Sequence, residues 1–385
     1  MHPDRRLIYV AVFAIMGLSN AVIPILPELA ARYHSMYGEF ASSLLFSGYF
    51  LGALATMLPF GILSDRFGNL KFIGLGIALT VVSGVFIFLS ENLWILIFSR
   101  FVEGAACGAF FPAAFSSLSK CKDPGRCMGE FTFLFNAGLA AGALFSGLLA
   151  DIFLKSAVLI FTLFALLSGI PLLYRLEELF NPKKTGTNPK SLSGQDSLKS
   201  HFKHSFIKIT GLISRRNSGI WLGSFLLNGA VGVLIAYYPD YSLEILSKAR
   251  LGGAIASLYI CAMVTSLLAG RFKVKEKTII RIGLAFSALG AFFAIKYPFF
   301  GFSSLGGGSG VAMVGFALAV ARMNADRGLA MGLFNTTIYA GLSLLPIVAG
   351  FLTETLRLKE LVQVKDWSYY NGTAWYHSKG AAPAV

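Results

Sequence analysis

Eleven apolar runs, each close to the ~20 residues that a helix needs to cross a bilayer, constrain this chain more than any other feature. Only 14% of its residues are charged and 55% are hydrophobic, whereas about a quarter of a soluble protein is charged. A surface with so little charge suits lipid. The sequence therefore predicts an all-α integral membrane protein. The runs are Leu7–Pro27, Ser42–Leu63, Phe72–Leu89, Leu93–Leu118, Met128–Ala150, Ser156–Tyr174, Gly219–Pro239, Leu251–Gly270, Thr278–Ile295, Pro298–Val320 and Leu329–Leu352.

The distribution of Lys and Arg between these runs predicts the orientation. A formal charge of +14 would suggest a nucleic-acid partner in a soluble protein. Here the basic residues lie in alternate short loops, so we expect membrane lipid as the partner and no nucleic acid. Because such loops stay in the cytoplasm, the N-terminus is predicted to be inside, in a cell membrane crossed many times. The basic loops hold Arg5, Arg6, Arg66, Lys71, Lys120, Lys122, Arg126, Arg271, Lys273, Lys275, Lys277, Arg281, Arg322 and Arg327.

A polar stretch divides the runs into two groups. Asn181–Ser200 is rich in Pro, Gly, Ser, Thr and Lys and has the composition of a flexible linker. His201–Arg216 places apolar residues on one helical face, which predicts a short helix on the inner membrane surface. We therefore expect four regions: an N-terminal bundle (1–175), a cytoplasmic linker with an amphipathic helix (176–217), a C-terminal bundle (218–353) and a polar tail (354–385).

The two groups of runs are internal repeats. Met128-Gly129 and Ala137-Gly138-Leu139 align at one constant offset with Met331-Gly332 and Ala340-Gly341-Leu342. Asn20 of the first run also corresponds to Asn228 of the seventh. Parallel repeats of this kind occur in secondary transporters, which bind substrate between their halves. The repeat predicts two pseudo-symmetric bundles of six helices each.

The twelfth span that this symmetry requires is missing from the sequence. Residues 354–385 contain Arg357, Lys359, Glu360, Lys365 and Asp366 and no apolar run of 18 residues. Either the last span has been lost, or the end is truncated or frame-shifted. The unusual composition of the tail favours the second explanation.

A short motif between the second and third runs is typical of one transporter family. Gly61, Asp65, Arg66, Gly68 and Lys71 stand at the spacing of the loop signature of the major facilitator superfamily, which the chain resembles. The resemblance implies a conformational gate, in which Asp65 faces the start of the eleventh span near 324–328. That pairing holds the cytoplasmic side shut when the protein faces outward. The second copy, Gly270-Arg271-Phe272-Lys273, lacks the Asp, so the gate is expected mainly in the first half.

The fourth run carries two charges in its interior. Arg100 and Glu103 lie three residues apart and therefore on one helical face. The surrounding pattern resembles that of the same superfamily, with Glu103 in place of the usual Gln. One interpretation makes Arg100 a modulator of proton binding and Glu103 the proton carrier. The other makes the two a permanent ion pair that only holds spans together.

The end of the first run narrows the resemblance to one branch. Pro24-xx-Pro27 resembles the drug and metabolite efflux branch of the superfamily, and the fifth run matches its antiport signature in part. Ala143 and Ser146 replace a Pro and a Gly there. The remaining small residues of that run, like Gly48-xxx-Gly52, are spaced for close helix packing.

Polar residues inside the runs are candidate contacts to a solute. We select Asn20, Asn136, Asn228, Tyr237, Asn335 and Tyr339. Each residue has an alternative role, a hydrogen bond that joins neighbouring helices. A site of Asn, Tyr and Phe with little fixed charge suits neutral, amphipathic or weakly cationic solutes. Phosphates and dicarboxylates usually need Arg or Lys.

These observations predict a secondary active transporter that exports small, fairly apolar organic solutes by proton-coupled alternating access. A facilitator or importer of sugars or similar metabolites is one alternative, and a membrane receptor that does not transport is another. No nucleophile and base, nucleotide loop or metal cluster indicates an enzyme. We expect the partners to be a small-molecule solute, the proton and lipid, with no cofactor and no metal, and we expect a monomer.

Overall fold

The computed structural model describes residues 3–31, 40–173, 217–269, 275–323 and 330–353, and every regular element in these ranges is helical. Ten helices there are long and apolar enough to cross a bilayer, and a shorter apolar helix is the sixth in order. The predicted spans are therefore confirmed. In chain order, the first to eleventh spans are Pro3–Ala21 continued by Ile23–Ile25 and Leu26–Ala30, then Phe40–Phe67, Asn69–Leu89, Leu93–Leu118, Pro124–Leu149, Ser156–Leu173, Ser218–Tyr241, Lys248–Ala269, Glu276–Ala294, Pro298–Ala321 and Ala330–Thr353.

Several sequence-based predictions fall outside the described residues. They are the amphipathic helix at 201–216, the linker at 181–200, the eroded motif at 270–273, the gate partner at 324–328 and the tail at 354–385. These remain predictions.

The first span is interrupted near its end. The sequence predicts one continuous helix to Pro27, but Ile23–Ile25 forms a 3₁₀ turn and Leu26–Ala30 a short helix. Pro24 and Pro27 cause this break, because proline donates no backbone hydrogen bond and its ring clashes with the preceding turn. The span is nevertheless the most enclosed of the set, with 89% of its apolar window buried. It therefore occupies the interior of the N-terminal half.

Polar side chains begin two of the spans. Asn92 Oδ1 accepts a hydrogen bond from Trp94 N at 3.0 Å and starts the fourth span. Asp123 Oδ1 accepts one from Arg126 N at 3.1 Å, ahead of the fifth span. Such caps satisfy backbone donors that the first turn of a helix leaves free.

The second and third spans are joined by a single residue. The second span continues to Phe67 and the third begins at Asn69, so the predicted loop at 61–71 is mostly helical. Gly68 alone reverses the chain, with a φ of 98° that favours glycine. Its N–H donates to Ser64 O at 3.0 Å and closes the second span. One glycine of the motif thus makes the tight reversal between the two spans.

Glycine allows the second and fourth spans to touch backbone to backbone. A Cβ on Gly104 would lie 1.8 Å from Tyr49 O, and one on Gly52 would lie 2.0 Å from Phe101 O. Association of helices in lipid depends on such packing, since the surrounding tails are as apolar as the side chains. This contact fixes the height of Arg100 and Glu103 against the second span.

The glycine run of the tenth span has a similar role in the C-terminal half. A Cβ on Gly306 would lie 2.0 Å from Leu258 O of the eighth span, and one on Gly308 would lie 2.4 Å from Ser287 N of the ninth. The tenth span therefore packs tightly between these two neighbours.

The two halves meet mainly at one end of the molecule. We call the end that carries Gly68 the basic end, and the end that carries Ala30, Phe40 and Lys248 the far end. The fifth span crosses the eighth near the far end, where a Cβ on Gly147 would lie 2.9 Å from Gly252 Cα. The seventh span contacts the second span and the end of the first. The far end is therefore closed.

Candidate functional site

The gate motif lies at the basic end. Beyond Gly68, its neighbour Asn69 donates to Ser116 Oγ at 2.9 Å and ties the turn to the fourth span. Lys71 is exposed, and Gly61 faces Pro112 of the fourth span. The side chains of Asp65 and Arg66 are not among those described. The pairing of Asp65 with the eleventh span thus stays a prediction.

Arg100 and Glu103 form an ion pair inside the N-terminal half. Arg100 Nη1 donates to Glu103 Oε2 at 2.6 Å, and each residue is at most 1% exposed. This confirms that the two side chains share a helical face. Glu103 Oε1 is buried and has no hydrogen-bond partner. A buried carboxylate oxygen without a donor is costly while the group is charged.

The second span supplies the remaining contacts of Arg100. Its Nε donates to Leu45 O at 3.3 Å, and its guanidinium carbon lies 4.9 Å from the centroid of the Tyr49 ring. The Tyr49 hydroxyl in turn lies 3.0 Å from Cys107 Sγ. The sequence did not identify Tyr49 as part of this group. Its only signal was the neighbouring Gly48-xxx-Gly52 pattern, which indicated close packing there.

Asn20 connects three spans from both halves. Its Nδ2 donates to Leu139 O of the fifth span at 2.7 Å, and its Oδ1 accepts from the Tyr259 hydroxyl of the eighth span at 3.3 Å. Asn20 is only 1% exposed. The Asn20 amide therefore joins neighbouring helices. This is the alternative role that the sequence suggested for each candidate solute contact. Tyr259 was not identified from the sequence.

Asn228 has a different environment from its repeat-related partner. Its Nδ2 donates to Ser224 O at 2.8 Å and lies 3.5 Å from Met313 Sδ of the tenth span. None of these bonds joins Asn228 to Asn20. The side chain is partly buried. The duplicated positions have therefore acquired separate packing partners.

The other predicted contacts, Tyr237 among them, are all partly buried residues. The Tyr237 hydroxyl donates to Pro346 O at 3.1 Å and so ties the seventh span to the eleventh. Asn136 donates to Thr132 O at 2.9 Å, one turn earlier in the fifth span. Asn136, Asn335 and Tyr339 are all partly exposed.

The fixed charges of the interior compensate each other. Arg100 and Glu103 cancel, and the other candidate residues are neutral amides and phenols. Among the described residues, no group of three or more His, Cys, Asp or Glu could hold a metal ion. The described interior therefore combines neutral polar groups with one buried ion pair.

Polar groups enclosed between two repeated helical bundles are the arrangement found in multi-pass membrane transporters. The chain belongs to the Major Facilitator Superfamily, whose family model matches residues 8–346. Residues 8–346 include all the candidate site residues.

Known proteins similar to the chain are also transporters. It is 26% identical over 337 residues to an MFS-type transporter of Methanocaldococcus jannaschii, with 83% of each chain covered. Shorter matches are a predicted inorganic phosphate cotransporter of Drosophila melanogaster (34% identical, 30% of this chain and 24% of that protein) and the drug efflux pump JefA of Mycobacterium tuberculosis (26%, 39% and 31%). The chain thus spans about a quarter to a third of those two relatives.

The fold is also that of a solved transporter. A bacterial homologue of the human lysosomal transporter Spinster, in an inward-facing and unoccupied conformation, superposes with a TM-score of 0.66 at 15% identity. The superposition covers 94% of this chain and 86% of that one.

Proposed function

We propose that this protein is a proton-coupled exporter of small, fairly apolar organic solutes in a prokaryotic-type cytoplasmic membrane, with its basic end and N-terminus in the cytoplasm. The observation that carries the proposal is the buried pair of Arg100 and Glu103, whose Oε1 has no partner. Ionisable residues inside a membrane protein commonly mark proton pathways. The distribution of Lys and Arg supports the orientation.

Proton binding at Glu103 would change the balance of charge in the N-terminal half. Arginine side chains stay protonated in proteins. When Glu103 is neutral, the Arg100 guanidinium therefore keeps only its contacts with Leu45 O and the Tyr49 ring. A buried cation without a counterion is strongly unfavourable. The protonated state therefore favours a rearrangement of the fourth span against the second, which couples the proton to alternating access.

The neutral interior supports an apolar or amphipathic solute. An anion such as phosphate normally needs an uncompensated Arg or Lys, and Arg100 is compensated by Glu103. The partial similarity to the drug efflux pump JefA and the Pro24-xx-Pro27 ending favour export. The similarity to a predicted phosphate cotransporter, over a still smaller share of this chain, favours inorganic phosphate as a different substrate.

Transport in vesicles separates these alternatives. The purified chain is reconstituted with a pH gradient, and efflux of a fluorescent dye and uptake of inorganic phosphate are measured in parallel. We expect the gradient to drive dye movement and Glu103→Gln to abolish the drive. The matched control is Glu130→Gln, which removes a carboxylate that pairs with Arg5 and Arg126 at the basic end.

Three results would contradict the proposal. Gradient-independent dye flux that Glu103→Gln leaves undiminished would indicate a facilitator. Phosphate uptake without dye movement would indicate an importer. A folded protein that moves neither probe, while still binding the dye, would support the receptor alternative.

A further inference from the structure

Two aromatic rings from opposite halves meet halfway along their spans. The centroids of Phe50, in the second span, and Tyr339, in the eleventh, lie 6.1 Å apart with their planes inclined by 43°. Both side chains are partly exposed. The pair is therefore an accessible contact between the halves, unlike the enclosed amide of Asn20.

Phe50 is the exposed member of a larger aromatic group. Its ring centroid lies 4.9 Å from that of Phe46 and 4.8 Å from that of Tyr49, at 89° to the latter. Phe46 and Tyr49 are buried. They pack against the Phe50 ring from its own span, and Tyr339 contacts it from the other half. The Arg100 guanidinium lies over the Tyr49 ring, so the aromatic group is next to the buried ion pair.

Tyr339 offers a ring and a free polar group from the other half. Within the described part of the chain, its hydroxyl makes no hydrogen bond. Asn335 lies one turn away on the same helical face, and Asn136 is the repeat-related residue of Tyr339 in the fifth span. A phenol in this position can bond to a solute without breaking an existing contact.

The ring pair lies where the closed and open parts of the interface meet. Toward the far end, the halves are joined by Gly147 against Gly252 and by Lys248 against Glu28. Toward the basic end, Thr132 and Thr336 are exposed although they lie within spans. Exposed polar residues at such positions suit a water-filled cavity better than lipid. A solute that enters from the basic end would reach the two rings at the closed limit of that cavity.

We infer that Phe50 and Tyr339 together hold a flat aromatic ring of the solute at the interface of the two halves, with the Tyr339 hydroxyl as a hydrogen-bonding group at its edge. The substrate class is a neutral or singly cationic aromatic molecule. This inference rests on the proposed function, since it specifies the solute of the same site. An aromatic pair contributes beyond its buried area, and its loss corresponds to about a 2- to 10-fold weaker affinity.

Equilibrium binding to the full chain in lipid nanodiscs tests the inference without a proton gradient. The probes are ethidium, a flat aromatic cation, and tetrabutylammonium, a cation of similar charge with no ring. We expect Phe50→Leu and Tyr339→Leu each to weaken ethidium binding about 5-fold and to weaken tetrabutylammonium binding less, because tetrabutylammonium loses only a cation–π contact and no ring stacking. Phe50→Trp and Tyr339→Phe keep a ring and should retain most of the ethidium affinity.

The matched control is Phe164→Leu. Phe164 is 45% exposed in the sixth span, which packs on the first, third and fifth spans of its own half. This variant should bind both probes as the unmodified chain does. Thermal unfolding of each variant confirms that it is folded.

Three results would overturn the inference. They are no ethidium binding by the unmodified chain, full affinity in both Leu variants, or an equal loss for the two probes. Because no gradient is applied, a failure of proton coupling in the vesicle assay leaves this result unaffected, and the failure of one proposal can be distinguished from the failure of the other.

Discussion

Lys248 Nζ lies 2.5 Å from Glu28 Oε1 and donates to Pro24 O at 3.1 Å, so the start of the eighth span is bonded to the end of the first. The two spans belong to different halves, and the contact closes the far end. Both side chains are mostly shielded, with 17% and 28% of their surfaces exposed. The pair therefore acts as a bond that must break when the far end opens.

Lys248→Met should shift the protein toward the state with an open far end. A partly shielded ion pair contributes about 1 kcal/mol, which corresponds to roughly a 5-fold change in the ratio of the two states. Spin labels at Ile152 and Leu243, exposed residues near the far end of opposite halves, report the distance between the halves. Exchanging the charges, with Glu28→Lys and Lys248→Glu together, should restore the original distribution. An unchanged distribution in Lys248→Met would show that the pair does not contribute to closure.

Gly252→Val should block closure of the far end. Even a Cβ at this position would lie 2.4 Å from Ala143 O and 2.9 Å from Gly147 Cα, both on the fifth span of the other half. The same labels should then report a widened far end and transport should stop. Gly253→Val is the matched control, because a Cβ there meets the Phe299 ring of its own half at 3.2 Å. Normal closure in Gly252→Val would show that the close contact between Gly252 and the fifth span is not needed to close the far end.

Arg100→Met should destabilise the N-terminal half strongly. The variant leaves Glu103 buried without a counterion, which costs about 3–5 kcal/mol. The double variant Arg100→Met with Glu103→Gln should recover most of that loss, since no charge remains buried. Unfolding in mixed micelles measures both. The control is Arg126→Met, which breaks an ion pair of a 73% exposed side chain and should change stability by at most about 1 kcal/mol. Equal losses in the single and double variants would argue against an ionised Glu103.

The spans and their internal charges could be predicted from the sequence, because each depends on residues that are near one another in the chain. Apolar runs determine the helices, and a spacing of three residues determines that Arg100 and Glu103 meet. Pro24 and Pro27 interrupt the first span after Ala21. This interruption was not predicted from the sequence, because the apolar run continues through both prolines. Length alone does not reveal how two prolines divide a span.

Contacts between spans could not be predicted, because they depend on the height and rotation of whole helices. Tyr259 reaches Asn20 from 239 residues away, and Lys248 reaches Pro24 from 224. The repeat suggested equal roles for Asn20 and Asn228, but each amide bonds to its own neighbours. Duplication conserves the position of a side chain along its span and not the partners that later packing provides.

Asp65→Asn should loosen the state in which the basic end is closed. By resemblance to the superfamily, Asp65 faces the start of the eleventh span when the protein opens at the far end, and a neutral amide would bind the positive end of that helix less strongly. We expect the distribution to move toward an open basic end by a few-fold, with lower flux and unchanged thermal unfolding. Spin labels at Lys71 and Lys277, which are both exposed near the basic end, measure the shift. Asp123→Asn is the control, since Asp123 caps the fifth span at the same end and an Asn caps a helix equally well. If flux and distribution in Asp65→Asn match those of the control, the motif at Gly61–Lys71 does not act as a gate.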